Sequence, residues 1–536
     1  MYYRLPICLY TIDVSSFFVI KNFITINIHH NLSMSPSNPN FNRWIASQKP
    51  RAHTMCDASV FYRNLEQALD IRRQNHDLHT LLKNTWAKGE TIDFFSNDSL
   101  SFGASGRLRK AFDEELARNP NVQLGAGGSR LADGNYDYIE TVEQEIADYH
   151  GVEAALVVGS GCNANCATFE AIPQSGDAIV YDEFVHPSIV DGMSRSLATI
   201  QISFAHNDVD AFRQALTFLS DSQPLIKQGK KCVLIVVESF YSIEGDMSPL
   251  KELVQVAKEI FSHGNAQFIV DEAHSIGVVG ERGLGYVNAL NLDSEIAIKT
   301  HTFGKAFGSI GGVILGSHTV KNALVNFSRS TVVTAGPAFH QVAAIRAGYS
   351  LLPQPETEAG RANIQHLATL FFQKITSHPI WPLANKLGII SIPLCDSWEQ
   401  RALQTQLIPL WTRDVHGKEL AFSLEENGFA VFPVRYKVKQ GMAKLRIIVH
   451  AAQTGVEVEG LVEAVCAWVG GVVRRLGWER QGQGEGERDM GMGIGNGGSG
   501  VCDMGKVWRF VGEDEGSGDE VVDACEGEDQ EYANRL

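Results

Sequence analysis

Two short apolar runs, KCVLIVVESF (231–240) and AQFIVDEAHS (266–275), flank PLKELVQVAKEIFSHG (249–264), whose apolar residues recur at helical spacing. Strand, helix, strand at this spacing leaves little choice. The second strand has to return parallel to the first, and a parallel sheet needs cover on both faces. A ligand site then falls at the carboxyl ends of the strands. The same alternation recurs upstream, where YIETVEQEIADYHG (138–151) reads as a helix stopped by Gly151 and EAALVVGSG (153–161) as a strand running into a turn. NLEQALDIRRQNHDLHTLLKN (64–84) has helical spacing and no breaker. Beyond about residue 350 the pattern changes, with KLRIIVHAA (444–452) as a strand and VEVEGLVEAVCAWVGGVVRRLG (456–477) as a closing helix. The fold class is α/β: a large, mostly parallel sheet domain followed by a smaller α+β lobe.

At 536 residues, 44% hydrophobic and 20% charged, the chain has ample material for such a body. Its formal charge is −16, but residues 479–536 carry a net −10 of that, so the body is only mildly acidic and shows no nucleic-acid footprint. Nine cysteines without paired spacing fit a reduced, cytoplasmic compartment, and no metal is expected. Residues 1–33 are apolar but broken by Arg4, Asp13 and Lys21, too often for a membrane span, and lack a cleavage site. A mis-assigned start ahead of Met34 and a partly disordered extension both stay open. The glycine-rich, acidic stretches of 479–536 are expected to be disordered. The expected division is 1–63 extension, 64–110 N-terminal segment, 111–350 large domain, 351–478 small domain and 479–536 tail. The final Asn-Arg-Leu faintly echoes the Ser-Lys-Leu peroxisomal address, the alternative to a cytoplasmic location.

KTHTFGKAFGSIGG (299–312) places one lysine, Lys305, among glycines after an apolar run. In QFIVDEAHS an apolar strand ends in Asp271, with His274 three residues on. A carboxylate at the end of a buried strand is costly unless a cation meets it. VDEAH matches the Asp-Glu-Ala-His box of helicases, but that reading needs a G-x-x-x-x-G-K-[ST] loop, and Gly304-Lys305-Ala306 supplies neither the hydroxyl nor the upstream glycine. GSGCNAN (159–165) lacks the third glycine of a dinucleotide fingerprint. An aldehyde cofactor with a pyridine ring needs what the chain does offer: a lysine for the imine, and a carboxylate that keeps the ring nitrogen protonated. Its phosphate needs an anion cradle, and Ser160-Gly161-Cys162 turns from strand into helix. Each piece alone is common; Ser-Gly-Cys before a helix is usually just a turn.

The ordered set resembles the α-oxoamine synthases, pyridoxal-phosphate enzymes of the aspartate aminotransferase fold that condense an amino acid with an acyl-CoA and lose CO2. The motifs are FFSNDSLSFG (94–103), GAGGSRLADGNYDYIETVEQEIADYHG (125–151), YDEFVHPSIVDG (181–192), FAHNDV (204–209), ESFYSIEGDMSPL (238–250), VDEAHSIGVVGERGLG (270–285) and TFGKAFG (302–308), within about residues 64–470. The resemblance implies a mostly parallel seven-stranded sheet and a homodimer with shared active sites. It casts Lys305 as the imine lysine and acid/base, His186 as the imidazole stacked on the ring, Asp271 as the ring-nitrogen partner and His274 as the donor to the phenolic oxygen. Gly161, Cys162 and Thr302 match the phosphate cradle, Ser242 a further polar contact, and Thr334 the residue a partner subunit sends to the phosphate. Asn97 and Arg446 match ligands of the amino-acid carboxylate, with His186 beside the substrate.

Several residues depart from the family pattern. Cys162 stands where an aromatic residue is common, His79 near where biotin-pathway members carry an arginine, Lys437 in place of a threonine, and AAQ (451–453) in place of Ala-Ala-His. These changes fall on the acyl side and in the small lobe rather than around the ring. The first expectation is therefore an 8-amino-7-oxononanoate synthase-like enzyme joining alanine to an acyl-CoA. Glycine- or serine-using relatives, a synthase using a polyketide or carrier-bound thioester, and a class II aminotransferase are the alternatives. A non-catalytic partner subunit would be expected to have lost Lys305.

Overall fold

The computed structural model describes residues 39–75, 78–81, 89–434 and 441–476. The expected extension before residue 39, the acidic tail and Lys437 lie outside these residues.

Seven strands form the large sheet: β1 (Ala154–Val158), β2 (Ala178–Asp182), β3 (Ile200–Phe204), β4 (Val233–Glu238), β5 (Ala266–Asp271), β6 (Ile296–Thr302) and β7 (Gly312–Gly316), in the order β1-β7-β6-β5-β4-β2-β3. All pairings are parallel except the two made by β7. The two runs that announced the fold are β4 and β5, joined by a helix over Leu250–Ile260 and in register from Val233–Ala266 to Glu238–Asp271.

Alternation along these strands feeds two cores. Val180, Ile235, Val237 and Val270 face one layer, and Ile179, Leu234, Val236 and Ile269 the other. Every residue of β4 is buried, as a central parallel strand requires.

Helices α1 (Val60–Gln74), α2 (Asp137–His150), α3 (Gly161–Ala171), α4 (Pro187–Met193) and α5 (Gly455–Arg475) carry the parts that matter here. Helix α1 corrects the expectation of one helix over 64–84. It starts four residues early and ends at Gln74, with Asn75 as its C-cap and residues 78–81 in coil. Asn75, a residue of high turn preference, caps the helix where the apolar periodicity alone would have continued it. Helix α2 ends as expected, with Gly151 at φ 63°.

The smaller lobe holds an antiparallel sheet of β8 (Ile390–Ser391), β9 (Leu407–Arg413), β10 (Phe432–Val434) and β11 (Met442–Ile448), in the order β10-β11-β9-β8. Helix α5, begun by a Thr454/Glu457 capping box, packs on the same core. Residues 92–99 join this lobe. Ile92–Asp93 pairs with Phe429–Ala430, and the Ile448 and Ala451 amides donate to the Phe94 and Ser99 carbonyls. The Ser96–Leu100 segment is thereby laid beside β11.

Among the described residues no helix is long and apolar enough to cross a membrane.

Glu143, on α2, ties the large sheet to its N-terminal cover. Its carboxylate accepts from both guanidinium nitrogens of Arg130, from Lys321 Nζ and from the Val157 amide of β1, and it is almost wholly buried. Removing one partner of such a group leaves the others desolvated and unmet. Glu143→Ala should lower unfolding free energy by about 3–5 kcal/mol in denaturant titration, the cost of stranding a buried charge.

Candidate active site

The carboxyl ends of β2, β4, β5 and β6 converge on one region and bring acids with them. Asp271 ends β5, and Glu238 ends β4 as its in-register neighbour. Asp271 is buried; its Oδ1 accepts from the Ala273 amide at 2.9 Å and its Oδ2 from Asn165 Nδ2 at 2.7 Å. Glu238 is pushed well above the usual carboxylate range, first by burial and then by the Asp271 charge. Two acids thus end adjacent strands side by side, and burial beside a neighbouring carboxylate favours the protonated form of Glu238.

Lys305 follows β6 in a tight turn closed by the Gly308 amide on its own carbonyl. Its Nζ stands 2.8 Å from His274 Nε2. Burial pulls the amine down to about 8, against the opposing pull of Asp271 and Glu238. Burial and the Lys305 charge hold His274 well below its ordinary value, so this imidazole is neutral. Lys305, Asp271 and His274 thus form one electrostatic cluster.

His186 caps α4 and accepts at Nδ1 from the Ser188 amide at 3.2 Å, with Ser188 Oγ at 2.7 Å. Burial lowers its pKa too, and Asp271 and Lys305 both act on it. Asn165, on α3, bonds Asp271, Ser188 Oγ at 3.0 Å and Thr300 Oγ1 at 2.8 Å.

The residues fit a phosphorylated pyridine aldehyde. Helix α3 begins at Gly161, with Ser160 Oγ accepting from the Asn163 amide. A Cβ on Gly161 would stand 2.6 Å from Thr302 Cβ, so the helix start is pressed against the end of β6 and only glycine fits. The Thr302 hydroxyl lies 2.9 Å from the same point, which puts backbone amides and a hydroxyl together as an anion cradle.

Strand β11 supplies two cations two residues apart, hence on one face. Lys444 is fully buried, pairs with Glu244 and lies 3.9 Å over the Trp411 ring. Arg446 has no such carboxylate among the described residues. Its guanidinium donates to Ser242 Oγ at 2.8 Å, to the Ser242 carbonyl at 3.3 Å and to Asn97 Oδ1 at 3.3 Å, and its buried Nε has no partner. Burial alone lowers it to about 10. One cation is neutralised by the protein, and its neighbour is left for an anion from outside.

Ser242 thus stands beside Arg446. Thr334 is exposed after a short helix ending at Val332 and makes no hydrogen bond to the other candidate residues within this chain. Cys162 is exposed in the first turn of α3, and His79 is exposed in coil. Gln453 bonds the Asp93 carbonyl and both the amide and ring of His450, joining the small lobe beside β11 to the N-terminal segment. Asn165, Ser188 and Glu238 escaped the sequence reading. An asparagine inside a helix of small residues was the available signal for the first, because helix interiors disfavour it unless a partner is waiting.

The family model described as aminotransferase class I and II matches residues 90–465. An aminoacyl transferase sphA of Aspergillus fumigatus is 49% identical over 424 residues, covering 79% of this chain and 90% of its own length. An 8-amino-7-oxononanoate synthase of Emericella nidulans is 34% identical over 409 residues, covering 76% and 95%. In fold, a Sphingomonas wittichii serine palmitoyltransferase matches with a TM-score of 0.60 at 24% identity, covering 72% and 88%. A serine palmitoyltransferase solved with PLP matches at 0.61 and 25%, covering 72% and 89%. The chain belongs to the class I and II aminotransferase family and, within it, to the α-oxoamine synthases, which are pyridoxal-phosphate-dependent acyltransferases.

Only the neutral amine of Lys305 attacks an aldehyde, and a lowered pKa makes that form available nearer neutrality. With cofactor-free protein, the rate of covalent capture of pyridoxal phosphate should climb about tenfold per pH unit below 8 and level off above it. Stopped-flow absorbance reads this directly. A plateau reached only above pH 10 would mean an ordinary, solvated lysine.

Proposed function

We propose that the protein catalyses decarboxylative condensation of a small amino acid, alanine first, with an acyl thioester, giving an α-amino ketone, free thiol and CO2. The unpaired guanidinium of Arg446 beside the neutralised Lys444 carries this reading, because it selects a ligand with a carboxylate. Asn97 and Ser242 fix the orientation of the guanidinium.

When bound, pyridoxal phosphate supplies an aldehyde for Lys305 and a protonated ring that withdraws electrons from the substrate's α-carbon. Asp271 would hold the proton at the ring nitrogen, and Asn165 and the Ala273 amide keep that carboxylate in place. Gly161, Cys162 and Thr302 would hold the phosphate, and His186 would cover one face of the ring. The Lys305 amine would serve as the base for the α-proton, and its pKa of about 8 suits proton exchange at physiological pH. Neutral His274 positions the Lys305 amine and would donate to the phenolic oxygen. The overall change balances: the new carbon–carbon bond replaces a thioester bond, and the bond to the carboxylate breaks with uptake of one proton.

A second reading has its own support. The 49% identical relative carries the name aminoacyl transferase rather than 8-amino-7-oxononanoate synthase. Glycine or serine, or a carrier-bound or polyketide thioester, would then replace alanine and acyl-CoA. Thr334, exposed and uncommitted within one chain, fits a homodimer in which it reaches the phosphate of the neighbouring copy.

Arg446→Gln should raise the amino-acid KM at least tenfold while leaving the visible absorbance of the bound cofactor in place. Thiol release measured across alanine, glycine and serine with short and long acyl-CoAs decides the pairing. Amino-group transfer to a keto acid without thiol release would overturn the synthase reading in favour of a transaminase.

A further inference from the structure

The strand ends are joined beneath the site by a hydrogen-bond chain that involves no residue assigned above to cofactor or substrate except at its two termini. It runs from Asp271 Oδ2 to Asn165 Nδ2 (2.7 Å), from the same Nδ2 to Ser188 Oγ (3.0 Å), and from Ser188 Oγ to His186 Nδ1 (2.7 Å). Thr300, on β6, closes it from below by donating to Asn165 Oδ1 at 2.8 Å.

The direction of every proton in this chain is forced. An ionised carboxylate only accepts, so Asn165 turns its NH2 towards Asp271, and its carbonyl is then left for the Thr300 hydroxyl. The second amide hydrogen goes to Ser188 Oγ, and because His186 Nδ1 is already an acceptor for the Ser188 amide, the Ser188 hydroxyl donates its own proton to that nitrogen. The Ser188 amide donates to the same nitrogen at 3.2 Å. A neutral imidazole accepting at Nδ1 carries its hydrogen on Nε2. Asn165 lies four residues after Gly161, hence one turn further along the same face of α3. It is buried, as are Ser188 and Thr300. A buried carboxamide in a helix interior is costly unless fully bonded, and this one uses its oxygen and both hydrogens.

We propose that Asn165 is a positioning residue that couples the Asp271 carboxylate to the tautomer and orientation of His186, so that the acid serving the ring nitrogen and the imidazole covering the ring are set together. The inference rests on the cofactor placement proposed above. The titratable groups around the chain are Asp271 from β5, Glu238 from β4, Lys305 after β6, Asp191 from α4 and His274 after β5.

The test uses holoenzyme of wild type, Asn165→Leu, Asn165→Ser and Ser188→Ala. Three quantities are read: the pH titration of the bound cofactor's visible band, cofactor dissociation during dialysis, and the Nδ1/Nε2 assignment of His186 by 15N NMR. Asn165→Leu should displace the apparent pKa of the band by at least one unit and speed cofactor loss at least tenfold, with the amino-acid KM within twofold of wild type. Ser188→Ala should leave the titration near wild type but loosen the single His186 tautomer, because it cuts the chain beyond Asn165. Should Asn165→Leu fail to fold, Asn165→Ser has to show the same displacement. Wild-type titration, retention and His186 signals in a folded Asn165 variant, with only the melting temperature lowered, would overturn the coupling and leave a structural asparagine. A wild-type protein without any visible band would instead sink the cofactor placement itself.

Discussion

A carboxylate at the end of a fully buried strand is the constraint around which the large domain is organised. Asp271 cannot be solvated where β5 leaves it, and the fold answers with fixed dipoles instead of a permanent counter-charge: one backbone amide and one carboxamide. That choice has consequences. A lysine locked against Asp271 would have made an inert salt bridge. Here Lys305 leans on neutral His274, so its amine remains free for covalent chemistry.

Parallel topology makes this arrangement possible. Because β2, β4, β5 and β6 all run the same way, their polar ends and the starts of the following helices gather on one side. The lone reversed strand, β7, has a different task. Gly312 at its start is so close to Ser160 that a Cβ would lie 2.6 Å from the Ser160 carbonyl oxygen. Strand β7 thus presses the phosphate-side turn against the end of β6, and the cradle owes its shape to backbone packing as much as to its own residues.

How much of this was legible depended on whether a residue's role left a local mark. Gly161, Lys305 and Asp271 stand out because each breaks the rule of its own element: a glycine at a helix start, a lysine amid glycines, an acid ending an apolar run. Helix α1 misled because its apolar spacing continued past Asn75, while the backbone obeyed turn-forming side chains instead. Ser188 was invisible, being one more serine after a proline at a helix start, and its use appears only when α3 is packed against α4. Gln453 stood out as a departure from the family pattern, but its side-chain bonds across the seam between β11 and the N-terminal segment appear only in the fold. Roles defined by contacts between distant segments cannot be read from spacing.

The two lobes divide the chemistry accordingly. Ring-side residues all sit on the large sheet and its helix starts, where burial in two cores holds them within narrow limits. The candidate carboxylate ligand, Arg446, comes from the other lobe on β11, with Asn97 laid alongside through backbone bonds to the same strand. Arg446 reaches back to Ser242 of the large domain, and Lys444 to Glu244 two residues further along the same loop region. One strand of the small lobe is thus fastened to one loop of the large domain by two cations. The buried pair at Lys444 fixes the register, and this lets Arg446 be held in place without being neutralised. A site that has to bind an anion it does not carry needs such a device, since an arginine with its own carboxylate would be well placed and useless.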